Sequence, residues 1–219
     1  MEFPVPNTQD PHAGQAVLTS GPDPADARLT MILVHGRGAS AEDILALASE
    51  FRLNDIAYVA PQAAGQTWYP YSFLAPIPQH EPWMSSAFGV LSRLIDSLTA
   101  RGVNSQQLAL LGFSQGACLT LECAARNAQR YAGVFGLSGA LIGPIGTPRD
   151  YRGLFNGTPV FVGCSDVDPH IPLERVREST EVFRRMGADA DERIYKRMGH
   201  TVNRDEIDAI TQILVTTPA

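Results

Sequence analysis

An α/β architecture, with a mostly parallel central sheet and helices on both faces, is what this sequence predicts. Two observations carry that expectation. Short apolar runs alternate along the chain with segments whose apolar residues recur at helical spacing. The chain has 219 residues, enough for one domain with a full-sized core, and shows no internal repeat, low-complexity tract or charge block.

The elements follow in order. Residues 1–13 are polar and proline-containing and read as a loosely held arm before a single domain over 14–219. Thr30 to Val34 is a buried strand ending at His35-Gly36-Arg37-Gly38. Ser40 is an N-cap, with Glu42 and Asp43 in the first turn of a helix that runs to about Ala48. Ala57 to Ala60 is a second strand, halted by Pro61. Residues 84–100 carry Phe88, Leu91, Leu94, Ile95 and Leu98 at helical spacing. A third strand, Leu108 to Phe113, leads straight into a helix from Gln115 to about Asn127. Strands at 133–137 and 159–163, a helix at 173–186 and a strand near 190–197 continue the alternation. Asn203, with Glu206 three residues on, caps a closing helix carrying Ile207, Ile210 and Leu214. One segment, 62–83, breaks the rhythm. It is rich in proline and aromatic residues, including Trp68, Tyr69, Tyr71 and Phe73, which marks a functional loop rather than a disordered one.

Bulk properties exclude several classes. A net charge of −6 argues against binding nucleic acid or anionic membrane, both of which favour a basic surface. No window approaches the apolar length of a membrane-spanning segment, and the N-terminus lacks the basic stretch and apolar run of a secretory signal. Cys118, Cys123 and Cys164 make an odd count without metal-ligand spacing, so reduced, buried thiols in a cytoplasmic protein are expected. No metal and no organic cofactor is called for; a homodimer is left open.

The chemistry centres on Gly112-Phe113-Ser114-Gln115-Gly116. Serine at its free pKa is a poor nucleophile and needs both a base and an accessible perch. A sharp strand-to-helix turn supplies the perch, and glycines at −2 and +2 remove the side chains that would clash in it. Here a buried strand precedes the motif and a helix follows it, the context that the motif requires. The similar run Gly136-Leu137-Ser138-Gly139-Ala140 lacks the last glycine, so Ser138 is read as structural. The positive end of the helix after Ser114 favours an oxyanion, making the Gln115 N–H one donor. The second donor is assigned to the main-chain N–H of Arg37, in the glycine loop after the first central strand.

Chain order selects the partners of Ser114. In the α/β-hydrolase fold that this turn belongs to, the acid and then the histidine follow the serine. Of five histidines only His170 and His200 come after Ser114, and His170 stands too near the acid loop to serve. His200, in the loop before the last helix, is therefore the expected base. The acid lies in the loop after strand 159–163, which offers Asp166 and Asp168. Asp168 is favoured because Pro169 holds it extended at the end of that loop; Asp166 stays open. Its role is to orient His200 and stabilise the imidazolium.

These residues resemble the phospholipase/carboxylesterase family of α/β-hydrolases, over about residues 30–212. The resemblance rests on His35-Gly36-Arg37-Gly38, Trp68-Tyr69, Gly112 to Ala117, Leu137-Ser138-Gly139, Asp168-Pro169-His170-Ile171-Pro172 and Gly199-His200. It implies an acid in the Asp-Pro element, which favours Asp168, and an acyl pocket lined by Trp68 and His170; Tyr69 and Phe73 are expected to join them. The thioesterase branch carries Leu then Gly-Asp after its His-Gly and Asp after its Trp-aromatic pair. This chain has Arg37-Gly38-Ala39-Ser40 and Pro70 instead, which points to a general carboxylesterase. The Arg37 side chain is expected to pair with Glu42 or Asp43, holding an acidic or phosphate-bearing substrate being the alternative.

The expectation is thus a serine carboxylesterase acting on small esters of short-to-medium acyl chain through a Ser114 acyl-enzyme. A lysophospholipase or acyl thioesterase with the same triad is the runner-up. A non-catalytic binding module on the same fold is the reading from another class.

Overall fold

The computed structural model describes residues 9–218. Seven strands form one sheet: β1 (Val17–Ser20), β2 (Leu29–Val34), β3 (Ile56–Pro61), β4 (Leu108–Phe113), β5 (Gly133–Leu137), β6 (Pro159–Ser165) and β7 (Asp189–Tyr195). Their order is β1-β3-β2-β4-β5-β6-β7; only β1 runs antiparallel to its neighbour, β3. Five α-helices cover the sheet: α1 (Ala41–Ala48), α2 (Trp83–Ala100), α3 (Gln115–Arg126), α4 (Leu173–Arg185) and α5 (Arg204–Thr216). This is the architecture of the α/β-hydrolase fold.

The period-2 geometry of the strands splits the core in two. From β2, Leu29, Met31 and Leu33 join Ile44 of α1 and Ile207, Ile210 and Leu214 of α5 on one face. Ile32 and Val34 turn the other way, into a cluster with Leu91 and Leu98 of α2, Leu119 and Leu121 of α3 and Val176 and Phe183 of α4. A strand buried on both faces has no polar side, which is why these strands read as unbroken apolar runs. The caps form as the sequence suggests. Ser40 and Asp43 make a reciprocal capping box on α1, and Asn203 and Glu206 make another on α5.

Five expectations change. The edge strand β1 is mostly exposed, so no apolar signal marks it. Pro61 lies within β3 rather than stopping it; it pairs with Val17 at the end of the ladder, where its missing N–H costs nothing essential. β6 extends two residues further, to Ser165, and β7 lies earlier than expected, at 189–195. Residues 1–8 of the expected arm lie outside the described residues, but Pro11 and His12 are buried against the body. His12 receives no freedom there: its backbone N–H donates to Ser86 Oγ at 2.9 Å.

The chain steps to opposite sides of β2, placing β3 on one flank and β4 on the other. Such a reversal leaves a crevice beyond the carboxyl ends of the two strands. Val34 and Gly112 are register partners, so the loop after β2 and the turn after β4 open into the same crevice.

Candidate active site

The turn after β4 is tight in the way its glycines predict. Ser114 sits at φ +56°, ψ −121°, a conformation that L side chains rarely adopt. A Cβ on Gly112 would overlap the Gly116 carbonyl, and one on Gly116 would overlap the carbonyl oxygens of Val34 and His35. Only glycine allows β4, the head of α3 and the loop after β2 to approach this closely. That loop lies directly against the serine: a Cβ on Gly36 would stand 3.4 Å from Ser114 Cβ.

Ser114, His200 and Asp168 are brought into one relay from three separate loops. His200 Nε2 is 2.7 Å from Ser114 Oγ, and His200 Nδ1 is 2.7 Å from Asp168 Oδ2. Since an ionised Asp168 can only accept, Nδ1 carries the imidazole proton and Nε2 accepts from the serine hydroxyl. The Asp168 side chain is fully buried, while that of His200 keeps 18% of its surface open and lines the cavity beside Ser114. Burial opposes ionisation of Asp168. The hydrogen bond to His200 and those from the N–H groups of His170 (2.8 Å) and Ile171 (3.0 Å) to Oδ1 outweigh it and hold the carboxyl below its ordinary value. Phe113 and His170 flank the His200 ring, with centroids 5.1 and 4.9 Å away.

Asp166 is occupied elsewhere. It accepts the Arg197 N–H at 2.7 Å, fixing the turn that leads toward His200. Ser165 Oγ donates to the Met198 carbonyl at 2.6 Å and tightens the same turn. Ser138 also has a positive φ, but it is fully buried and offers no access to a substrate.

A cavity of about 380 Å³ opens onto Ser114 and His200, walled by Tyr69, Phe73 and His170 among others. Trp68 is not part of that wall, contrary to expectation. Its ring is fully buried, its Nε1–H donates to the His35 carbonyl at 2.9 Å, and the rings of His12 and His35 pack against it. Cys118, Tyr71, Ser72 and Ile171 line the cavity instead, with no sequence signal beyond their proximity to the motifs. All three cysteines are free and buried, and burial pushes each thiol up to about 12.

Two side chains beside the nucleophile hold the aromatic segment. Gln115 Oε1 accepts from Trp68 N at 2.9 Å, and its Nε2 donates to the Tyr69 carbonyl at 2.8 Å. Arg37 pairs with neither Glu42 nor Asp43. Its Nη1 donates to Pro70 O at 2.9 Å, and its Nη2 to Tyr69 O at 2.8 Å and Tyr71 O at 2.7 Å. Asp43 is engaged in the Ser40 cap. Two neutral imidazoles complete the clamp. Ala63 N donates to His35 Nε2 at 3.1 Å and Ala64 N to His12 Nδ1 at 3.1 Å, while His12 Nε2 faces the Trp68 carbonyl at 3.0 Å. The main-chain N–H groups of Arg37 and Gln115, by contrast, have no acceptor among the described residues. No cluster of metal-ligating side chains occurs among those residues either.

Fold and site together define an α/β-hydrolase with a serine–histidine–carboxylate arrangement at the switch point of its sheet. The chain belongs to the Phospholipase/Carboxylesterase family, whose model matches residues 14–217. The crystal structure of a phospholipase/carboxylesterase from Dyadobacter fermentans superposes with a TM-score of 0.89 at 37% identity, covering 93% of this chain and 97% of that one. Among curated relatives, acyl-protein thioesterase 1 of Kluyveromyces lactis is 28% identical over 60% of this chain, and the match spans only 59% of that protein's length. Acyl-protein thioesterase 1 of Yarrowia lipolytica is 26% identical over 83% of this chain and 88% of its own. These relatives are hydrolases of esters and thioesters by name. No helix among the described residues is long and apolar enough to cross a membrane.

Proposed function

We propose that this protein is a serine carboxylesterase that hydrolyses small carboxylic esters of short-to-medium acyl chain through a Ser114 acyl-enzyme. The observation that carries this reading is the continuous relay of two 2.7 Å contacts, from Ser114 through His200 to Asp168, at the edge of a cavity. In the first half of the cycle Ser114 Oγ attacks the ester carbonyl as His200 Nε2 takes its proton. The carbonyl electron pair moves onto oxygen, where the N–H groups of Arg37 and Gln115 and the positive end of α3 stabilise it. Collapse breaks the bond to the alkoxy group, which leaves with the proton from His200. Water then repeats the sequence on the acyl-enzyme, releasing the acid and restoring Ser114. Asp168 keeps the imidazole in the productive tautomer throughout. Neither step requires a metal or an organic cofactor.

A cavity of about 380 Å³ is near the small end of ligand sites, which favours short acyl groups over long lipid chains. A thioesterase or lysophospholipase activity uses the same relay and is suggested by the names of the relatives. The three buried free thiols fit a reducing compartment, and a cytoplasmic site belongs to the same proposal. The test is a series of oxyester and thioester substrates of increasing acyl length. The proposal expects kcat/KM to peak at a short or medium oxyester. A maximum at long-chain thioesters would assign the runner-up, and no turnover of any member by folded protein would favour the non-catalytic binding module.

A further inference from the structure

The mouth of the cavity holds a cation without a counter-ion. Among the cavity-lining residues Arg37 is the one cationic side chain with a fixed charge, and no Asp or Glu lines it. No carboxylate among the described residues forms an ion pair with Arg37; Arg52, Arg152 and Arg177 also lack one, and what sets Arg37 apart is its place on the cavity wall. Its three hydrogen bonds go to main-chain carbonyls of residues 69–71, which fix the guanidinium plane but leave its charge unbalanced. They also leave the Nε–H and one Nη1–H unused. With both Nη2–H groups engaged, the two free N–H groups lie on different edges of the guanidinium, so each can donate a single charge-assisted hydrogen bond to a carboxylate oxygen. The negative charge of the chain as a whole, −6, makes this local excess of positive charge the more pointed.

We propose that Arg37 is a specificity residue, selecting esters whose acyl part bears a free carboxylate, the half-esters of short dicarboxylic acids. The inference rests on the esterase reading of the same site. With the scissile carbonyl at Ser114, the acyl chain lies in the cavity and its far carboxylate meets Arg37. A cavity of about 380 Å³ matches a chain of a few carbons. A charge-assisted contact of this kind corresponds to a preference of about tenfold or more over an uncharged isostere.

The test compares the ethyl half-ester of glutaric acid with ethyl 5-amino-5-oxopentanoate, its neutral amide isostere, by proton release for turnover. Binding of both to Ser114→Ala is measured in parallel by calorimetry. The proposal expects a preference for the half-ester that shrinks with added salt and disappears in Arg37→Gln. In the binding arm, the preference of Ser114→Ala should be lost in Ser114→Ala/Arg37→Gln. Because the Arg37 side chain also holds residues 69–71, Arg37→Gln is expected to lower turnover of both esters, and the readout is their ratio, which moves to about one on loss of the charge and stays as in the wild type if only the pocket wall is disturbed. Equal binding and turnover of the two esters, a preference that survives Arg37→Gln, or an equal fall for both would overturn the proposal. If half-ester binding depends on Arg37 but neither ester is hydrolysed, the anion site stands and the esterase reading fails.

Discussion

Replacing Asp168 with Asn tests the relay at its least replaceable point. Oδ1 of Asp168 accepts from two main-chain donors, the N–H groups of His170 and Ile171, at 2.8 and 3.0 Å. An asparagine must keep its oxygen on those donors, so its NH₂ group falls where Oδ2 stood, 2.7 Å from His200 Nδ1. Two N–H groups cannot share that contact. The imidazole therefore moves its proton to Nε2, which can no longer accept from Ser114 Oγ. The fold is spared, because the isosteric side chain keeps both backbone bonds, but the serine loses its base. The expected loss in kcat/KM is about 10⁴-fold, or about 5 kcal/mol in the barrier. Asp166→Asn keeps an oxygen for the Arg197 N–H and should cost less than about threefold, as for a surface change away from the chemistry. Initial rates on a short-chain chromogenic ester, with a thermal melt on each variant, check both. Activity of Asp168→Asn within tenfold of wild type, or the reverse ranking, would refute the assignment.

Other predictions concern the scaffold. Gly116→Ala drives a methyl group into the carbonyl oxygens of Val34 and His35, so the melting temperature should fall by roughly 5 °C or more, with loss of activity. An unchanged melt would contradict the close approach. His12 and His35 have pKa values lowered, chiefly by burial, so they are neutral in the fold and take up protons on unfolding near their ordinary 6.5. Their stabilising contribution is full above that value and is lost as pH falls through it toward the folded values. In denaturant titrations the stability of the wild type relative to His12→Gln and to His35→Gln should fall as pH drops from 7 to 5, and a constant difference would contradict the assignment. Glu206 acts with the opposite sign. Burial raises its pKa from 4.5 to about 7, so its contribution worsens as pH rises through that interval, by at most about 3 kcal/mol. Glu206→Gln should therefore be more stable than wild type at pH 8 and no more stable at pH 4; equal midpoints at pH 8 would show that the buried carboxyl carries no such cost.

What the sequence made legible is local. The glycines around Ser114 are demanded by atoms within a few residues and by one neighbouring loop, so the motif announces its own geometry. Pro169 likewise marks the turn whose N–H groups grip Asp168, and chain order, with His170 too near the acid loop, leaves His200 as the expected base. The losses are non-local. Trp68 was expected at the cavity wall from resemblance, but its indole N–H is drawn to the His35 carbonyl and its ring into the core. Arg37 has acidic neighbours five and six residues on, yet it binds carbonyls more than thirty residues away. Main-chain carbonyls are present in every residue and leave no mark in the sequence. His12 shows the same limit: its neighbours suggest a free arm, and only the fold brings it to Trp68 and Ala64. The Gln115 side chain offered a clue in being polar at the buried head of α3, where an unpartnered amide would be costly.

The central claim is that Ser114 is activated by His200, and labelling with a fluorophosphonate probe, read by mass spectrometry, addresses it most directly. The account predicts a stoichiometric adduct on the Ser114 peptide of the wild type, none in Ser114→Ala and markedly slowed labelling in His200→Ala. Folded wild-type protein that takes up no probe, or an adduct on another serine that persists in Ser114→Ala, would contradict it.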